Sequence, residues 1–288
     1  MKRIAIVTDS NSGISQEEAK EIGCFVVPMP FIINEEIYFE GVNLTNDKFY
    51  EIQGSGTRVT TSQPNINEIV ELWETLLKDF DEIVHIPMSS GLSQSCETAL
   101  NFAESFNGKV QVVDNKRISV TMKGSVEDAI KMAKEGNSAS EIKKYLEENA
   151  RNSSIYIMVD TLKYLKQGGR VTPAAAAIGA VLNIKPVLQI QGGKLDQYAK
   201  VLNVKAAKAK MIEGIKKDFE GRFAEFVKAG EMRLAVAHTK NEENAKAFAE
   251  ELKQIFPNVP VVYVDSLSLS VATHIGPKSL AIACHRAY

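Results

Sequence analysis

The sequence predicts an α/β fold in two domains. The first is a mostly parallel sheet with flanking helices, and the second an α/β unit with a mixed or antiparallel sheet. Three observations lead there. Through the first half, short apolar runs alternate with amphipathic helical stretches, the pattern of strands joined by helical crossovers. Near residues 187–201, two strand-like runs flank a Gly192-Gly193 turn, which reads as a hairpin. A chain of 288 residues, 44% hydrophobic, can also build two cores of roughly 150 residues without metals or disulfides. A new run of strand character at Ile155–Val159 places the boundary there, giving units of 1–155 and 156–288.

Arg3–Thr8 is short, β-branched and closed by Asp9-Ser10-Asn11, so it reads as a buried strand. Ser15 with Glu18 forms a capping-box signature for a helix at Gln16–Ile22. Phe25–Val27 and Ile37–Phe39 read as strands on either side of the Pro28–Pro30 bend. From Ile66 to Phe80 the apolar residues Ile69, Val70, Trp73, Leu76 and Leu77 keep the spacing of one helical face, with Asn65 and Glu68 at its start. Strand Glu82–Ile86 follows, then a helix with Cys96, Ala99, Leu100, Ala103 and Phe106 on one face, and strand Val110–Val113. Helices at Val126–Lys134 and Ser140–Asn149 close the first half, the second capped by Ser138 with Glu141.

In the second half a short helix at Thr161–Lys166 stops at Gly168-Gly169, and an alanine-rich segment runs from Pro173 to Val181. The hairpin is followed by a helix at Val204–Lys217, strand Arg233–Ala237, helix Glu242–Phe256 and strand Val261–Val264.

Composition narrows the function. Lys+Arg 34 against Asp+Glu 36 leaves a formal charge of -2, which offers no electrostatic footprint for nucleic acid. The longest runs without a charged residue, Val171–Ile184 and Ile83–Cys96, have 14 residues each, whereas a membrane-spanning helix needs about 20 apolar ones. Lys2 and Arg3 precede an apolar run too short for a signal peptide. Three scattered cysteines (Cys24, Cys96 and Cys284) with no CxxC pair suit a reducing, cytoplasmic setting. Metal-ligand spacings, the GxxxxGK[ST] loop, GxGxxG and GxSxG are all missing, so no metal and no nucleotide cofactor is expected.

Three hydroxyl-rich loops remain: Asp9-Ser10-Asn11-Ser12-Gly13, Thr60-Thr61-Ser62-Gln63-Pro64 and Ser89-Ser90-Gly91-Leu92-Ser93. Loops beyond the carboxyl ends of parallel strands converge on the usual ligand crevice, and hydroxyls before helices can donate to an anion. Each loop can equally be a plain helix cap. Gly168-Gly169-Arg170 can be a helix stop, or a turn that aims a guanidinium, the fork that grips carboxylates. His274 sits in the uncharged stretch Ser266–Pro277, while His85, His238 and His285 read as structural. A Ser93–His274 pair leaves a small-anion enzyme, hydrolase-like, as the alternative from a different class.

Taken together, Asp9-Ser10, Thr61-Ser62-Gln63-Pro64, Ser89-Ser90-Gly91-Leu92-Ser93, Gly168-Gly169-Arg170, Ile184-Lys185-Pro186 and His274-Ile275-Gly276-Pro277 resemble the DegV family over essentially the whole chain. That resemblance implies a lipid-binding protein rather than an enzyme, with a long-chain fatty acid in a buried tunnel. It places the carboxylate on Thr61 and Ser93 with Ser62 close by, and puts Arg170 and His274 at the head-group mouth. It further implies a partner, the ATP-binding subunit of a fatty acid kinase, to which the acyl group is presented. Ala174–Ala177, Ile178, Val181 and Leu182 are candidate tunnel wall, or simple helix packing. The chain departs from the family pattern at Gln94, at Val201-Leu202-Asn203 and at Lys278 and Ala281.

Overall fold

A computed structural model describes residues 2–177 and 184–288. The first half runs β1 (Ile4–Asp9), α1 (Gln16–Ile22), β2 (Phe25–Val27), β3 (Pro30–Ile33), β4 (Glu36–Phe39), α2 (Asn46–Gly54), β5 (Val59–Thr61), α3 (Ile66–Leu76), β6 (Glu82–Ile86), α4 (Ser95–Ala103), β7 (Val110–Val112), α5 (Ser119–Lys134) and α6 (Ala139–Glu148). The second runs β8 (Ser153–Met158), α7 (Lys163–Gly168), α8 (Pro173–Ala176), β9 (Lys185–Ile190), β10 (Asp196–Val201), α9 (Val204–Glu220), α10 (Ala224–Lys228), β11 (Met232–His238), α11 (Glu242–Ile255), β12 (Val261–Ser266), α12 (Leu269–Ile275) and β13 (Leu280–Arg286).

The expected fold class is what the strands form. Four of them make an all-parallel sheet in the order β2-β1-β6-β7. Its strands are apolar on both sides because both faces are covered. Ile6, Val84 and Ile86 pack against α5 and α6, while Val7, Ile83 and Val112 pack against α3 and α4, with Trp73 fully buried. Six strands make a mixed sheet, β10-β9-β8-β13-β11-β12, parallel only between β11 and β12. One face of it carries α9 and α11. The other looks back toward the start of α5 and the loop after β6. A third sheet of three short antiparallel strands, β4-β3-β5, packs on α2 and α12.

The helix signatures behave as their chemistry predicts. Ser138 and Glu141 form a full reciprocal capping box, and the Ser15 hydroxyl accepts from Glu18 N. Asn65 caps α3 through Asn67 N, and the helix ends at Leu76, four residues short of the expected Phe80. Helix α5 begins at Ser119, seven residues before the expected start. Its first turns are buried small and polar residues, which hide the helical period.

Six elements had no sequence signal strong enough to read: β3, α2, β5, α10, α12 and β13. Strand β13 lies between β8 and β11 inside the mixed sheet, buried on both faces, so it shows no alternation. Helix α12 is uncharged because it too is buried, at Leu269, Ala272, Thr273 and Ile275.

Lys123 on α5 joins the two main sheets. Its ammonium, almost wholly buried, meets Glu18 of α1 at 2.7 Å and Asp265 of β12 at 3.0 Å. Removing one member of such a cluster strands the others at reduced solvation. Lys123→Ala is therefore expected to lower the unfolding free energy by about 1–3 kcal/mol, discounted for partly exposed carboxylates. Urea denaturation measures it, and a change near zero would show the triad contributes nothing net.

Candidate functional site

A cavity opens between the mixed sheet and the carboxyl ends of the parallel strands. Counting its mouth and the open solvent there, it encloses about 840 Å³ of space between atoms. Its walls are core residues. Ile155 and Ile157 of β8, Ile190 of β9, Ala237 of β11 and Ala281 of β13 face Met88, Leu92, Ile118 and Val120 across it. Ala237 and Ala281 are register partners on adjacent strands, so two small side chains fall together and leave depth there.

At the other end the lining turns polar. Thr61, Ser62, Ser93, Arg170 and His274 all line this one cavity, joined by Gln63, Ser119 and Ser270. Thr61, Ser93 and His274 are half-buried, whereas Ser62 and Arg170 are exposed, which puts the mouth at that end. No Asp or Glu is among its described lining residues.

Each polar group is held by its element. Thr61 ends β5, where pairing with Phe31 of β3 turns it inward, and its Oγ1 lies 3.0 Å from His274 Nε2. His274 stands on the last turn of α12. Burial, aided by the neighbouring Arg170 guanidinium, pushes its ring from the ordinary 6.5 down to about 4. At neutral pH it is an uncharged hydrogen-bonding group, and Arg170 is the cation of the site. Ser93 accepts from Ser95 N at 3.1 Å and donates to Ser95 Oγ at 3.0 Å. The rest of its loop is tied down through Ser89 N to Arg117 O and through Ser90 Oγ to Asp114 at 2.6 Å.

The first hydroxyl loop does not reach the cavity lining. Asp9, Ser10 and Asn11 instead brace the elements that do. The Asp9 carboxylate accepts from Met88 N at 2.8 Å, at the start of the serine loop. Asn11 Oδ1 accepts from Ser268 Oγ at 3.1 Å, at the cap of α12. Ser10 Oγ donates to Glu40 at 2.9 Å, and Glu40 accepts from Leu269 N at 2.6 Å. Burial pushes Glu40 up to about 7 against those two donors.

Two alternatives that the sequence leaves open are narrowed by the geometry. The Ser93–His274 pair of a hydrolase is not assembled, because the serine donates to Ser95 and the histidine Nε2 meets Thr61. Ala174 and Ala177 are exposed and Ala175 belongs to the packed core, so none is cavity wall. Ile178, Val181 and Leu182 lie outside the described residues. His85 and His285 are buried and held near 3 by burial, in keeping with structural roles. Ser119 was invisible in the sequence. It is buried in the left-handed region at φ 56, a conformation that a serine does not advertise. Among the described residues no cluster of His, Cys, Asp or Glu could hold a metal, and no helix is long and apolar enough to cross a membrane.

Gly276 sets the distance between α12 and α7. It has φ 77, and a Cβ there would lie 2.3 Å from the Tyr164 ring. Gly276→Ala is expected to cost about 1–3 kcal/mol from strain and displacement, measurable as a lower Tm. Acid should reveal His274. Its folded value of about 4 lies below the ordinary 6.5, so the folded state binds fewer protons. The stability it contributes is present above pH 6.5 and lost as pH falls toward 4. A His274→Gln variant should lose less stability than the parent over that window in a Tm–pH series, and parallel curves would refute it.

Comparison with known proteins agrees with this architecture. Residues 3–286 match the family model of DegV, described as an uncharacterised protein. Protein DegV of Bacillus subtilis is 33% identical over 283 residues, covering 97% of this chain and 98% of the relative. A DegV domain-containing protein of Halalkalibacterium halodurans is 31% identical over 287 residues, 98% of each chain. Among solved structures, a DegV family protein from Thermus thermophilus, described by its fatty acid binding, superposes with a TM-score of 0.87 at 26% identity over 99% of both chains. DegV from Bacillus subtilis, described as a fatty acid binding protein, superposes with a TM-score of 0.85 at 30% identity over 99% of this chain and 100% of that one. The chain belongs to the DegV family.

Proposed function

We propose that this protein binds a long-chain fatty acid without catalysing a reaction of its own. The observation that carries this reading is the shape of the cavity's chemistry. An apolar interior ends in hydroxyls, a neutral imidazole and one guanidinium, with no carboxylate among the described lining residues to repel an anion. Structural relatives described as fatty acid binding proteins support the ligand class.

In this reading the acyl chain lies along Ile155, Ile157, Ala237 and Ala281, and contributes most of the affinity at about 0.8 kcal/mol per buried CH₂, before the costs of binding. The carboxylate meets Thr61 and Ser93, with Ser62 close by and Arg170 and His274 at the mouth. With the proton on Nε2, His274 donates to Thr61 Oγ1, and the threonine hydroxyl is released to donate to the carboxylate. Residues 1–155 supply the hydroxyl loops and residues 156–288 supply Arg170 and His274. No metal or organic cofactor enters. Because Ser62 and Arg170 are exposed, a bound carboxyl group stays reachable from outside. That suits presentation to the ATP-binding subunit of a fatty acid kinase, and formation of acyl phosphate from ATP with such a subunit tests that part separately.

The binding reading is tested by palmitate titration and by native mass spectrometry of the purified protein. Loss of charge-assisted hydrogen bonds contributing about 1.5–3 kcal/mol each predicts that Thr61→Ala with Ser93→Ala weakens palmitate roughly tenfold or more. Methyl palmitate, which lacks the anion, should be far less sensitive to the same changes. Unchanged palmitate affinity in the double variant would remove the carboxylate assignment, and an absence of any lipid binding would remove the function.

A further inference from the structure

A second pocket lies beside the head-group end of the cavity and shares no lining residue with it. Its walls come from the loop between α2 and β5 (Thr57, Arg58), from α7 (Lys163, Tyr164) and from α12 (Thr273), and it holds about 720 Å³ of unfilled space, mouth included. Val59, on its floor, is two positions before Thr61 on the same face of β5, and Thr273 precedes His274. The two pockets are therefore neighbours along one strand and one helix.

Its charge is one-sided. Arg58 and Lys163 both line it, and no Asp or Glu is among its described lining residues. Arg58 makes no hydrogen bond or ion pair among the described residues, and Lys163 meets only the Tyr164 ring, 5.5 Å from its centroid. Many other surface cations of this chain sit against a carboxylate, as Lys228 does with Glu225 and Lys246 with Glu242. Two unneutralised cations facing one concave space, one of them a planar fork that matches tetrahedral oxyanions, make an anion site. The Tyr164 hydroxyl has no hydrogen bond among the described residues and adds a neutral donor, while the ring is fixed against Gly276.

We propose that Arg58, Lys163 and Tyr164 form a second, separate binding site for a phosphate group, adjoining the head-group mouth. Two cations suit a dianion better than the monoanionic carboxylate of the first cavity. A phosphate seated there stands beside Thr273–His274 without competing for Thr61 and Ser93. The site does not depend on what fills the first cavity.

The test titrates inorganic phosphate, and glycerol 3-phosphate in parallel, into protein stripped of lipid and into protein loaded with palmitate, at about 0.15 M chloride where long-range charge effects are screened. Both preparations should bind, with Arg58→Ala/Lys163→Ala weakening phosphate about tenfold or more. Palmitate affinity should stay unchanged. A charge-matched control, Lys228→Ala/Lys246→Ala, should leave phosphate binding as it was, which separates a site from net charge. Binding of glycerol 3-phosphate as well shows that the site accepts an ester. Absence of saturable phosphate binding to the stripped protein overturns the proposal. So does phosphate expelled by palmitate, or phosphate held equally well by the Arg58/Lys163 variant. If palmitate itself fails to bind, the stripped protein still decides the phosphate question.

Discussion

A buried carboxylate must be met by donors, and Asp9 is met by three. Only 2% exposed, it accepts from Met88 N, Asn11 N and Asn11 Nδ2 at 2.8–2.9 Å. Burial pushes its carboxyl above the ordinary range while those donors hold it back. Met88 starts the serine loop, and Asn11 continues to Ser268 at the cap of α12. One side chain at the end of β1 thus sets the relative positions of Ser93 and His274, which are far apart in sequence. Glu40 repeats the arrangement one step out, joining Ser10 to the first turn of α12. The loop that comes first in the chain is accordingly structural, and the polar lining of the cavity sits mainly on the two loops and the helix that it braces.

The cavity belongs to the apolar cluster between the two main sheets, where a packed interior would be expected. Ile155, Ile157 and Ile118 along its wall have dispersion contacts to gain from a guest. Its depth at Ala237 and Ala281 follows from register, since the two alanines are direct partners across β11 and β13. An acyl guest would restore those contacts and complete the core, so binding and stability are coupled through the same residues.

Charge is distributed with equal economy. The chain is almost neutral overall, and the described cavity lining has one cation, Arg170, with His274 kept uncharged by burial. Arg58 and Lys163 lie outside that lining, in the neighbouring pocket. In the proposed reading, a carboxylate in the cavity would meet mainly neutral hydroxyls, and a dianion would suit the paired cations next door. Gly276, pressed on Tyr164, keeps α7 and α12 close together, with the two pockets on neighbouring residues of α12.

The sequence by itself determined the α/β class, the parallel first sheet, the 187–201 hairpin and most helices, because each rests on local periodicity, capping or turn chemistry. Ser138 with Glu141 and the Gly192-Gly193 turn are legible without any partner. It also singled out Thr61, Ser62, Ser93, Arg170 and His274, through short motifs whose order resembles one family. Tertiary structure alone decided that these five line one cavity, that Asp9 and Ser10 brace it, and that Ser93 and His274 are not paired. It also decided that the described wall is made by β8, β11 and β13, with Ala174, Ala175 and Ala177 outside it. Those outcomes depend on contacts that local periodicity does not encode, some of them between residues far apart in the chain, as Thr61 with His274 and Asn11 with Ser268. Elements such as β5, α12 and β13 are too short, or too completely buried, to show a period of their own.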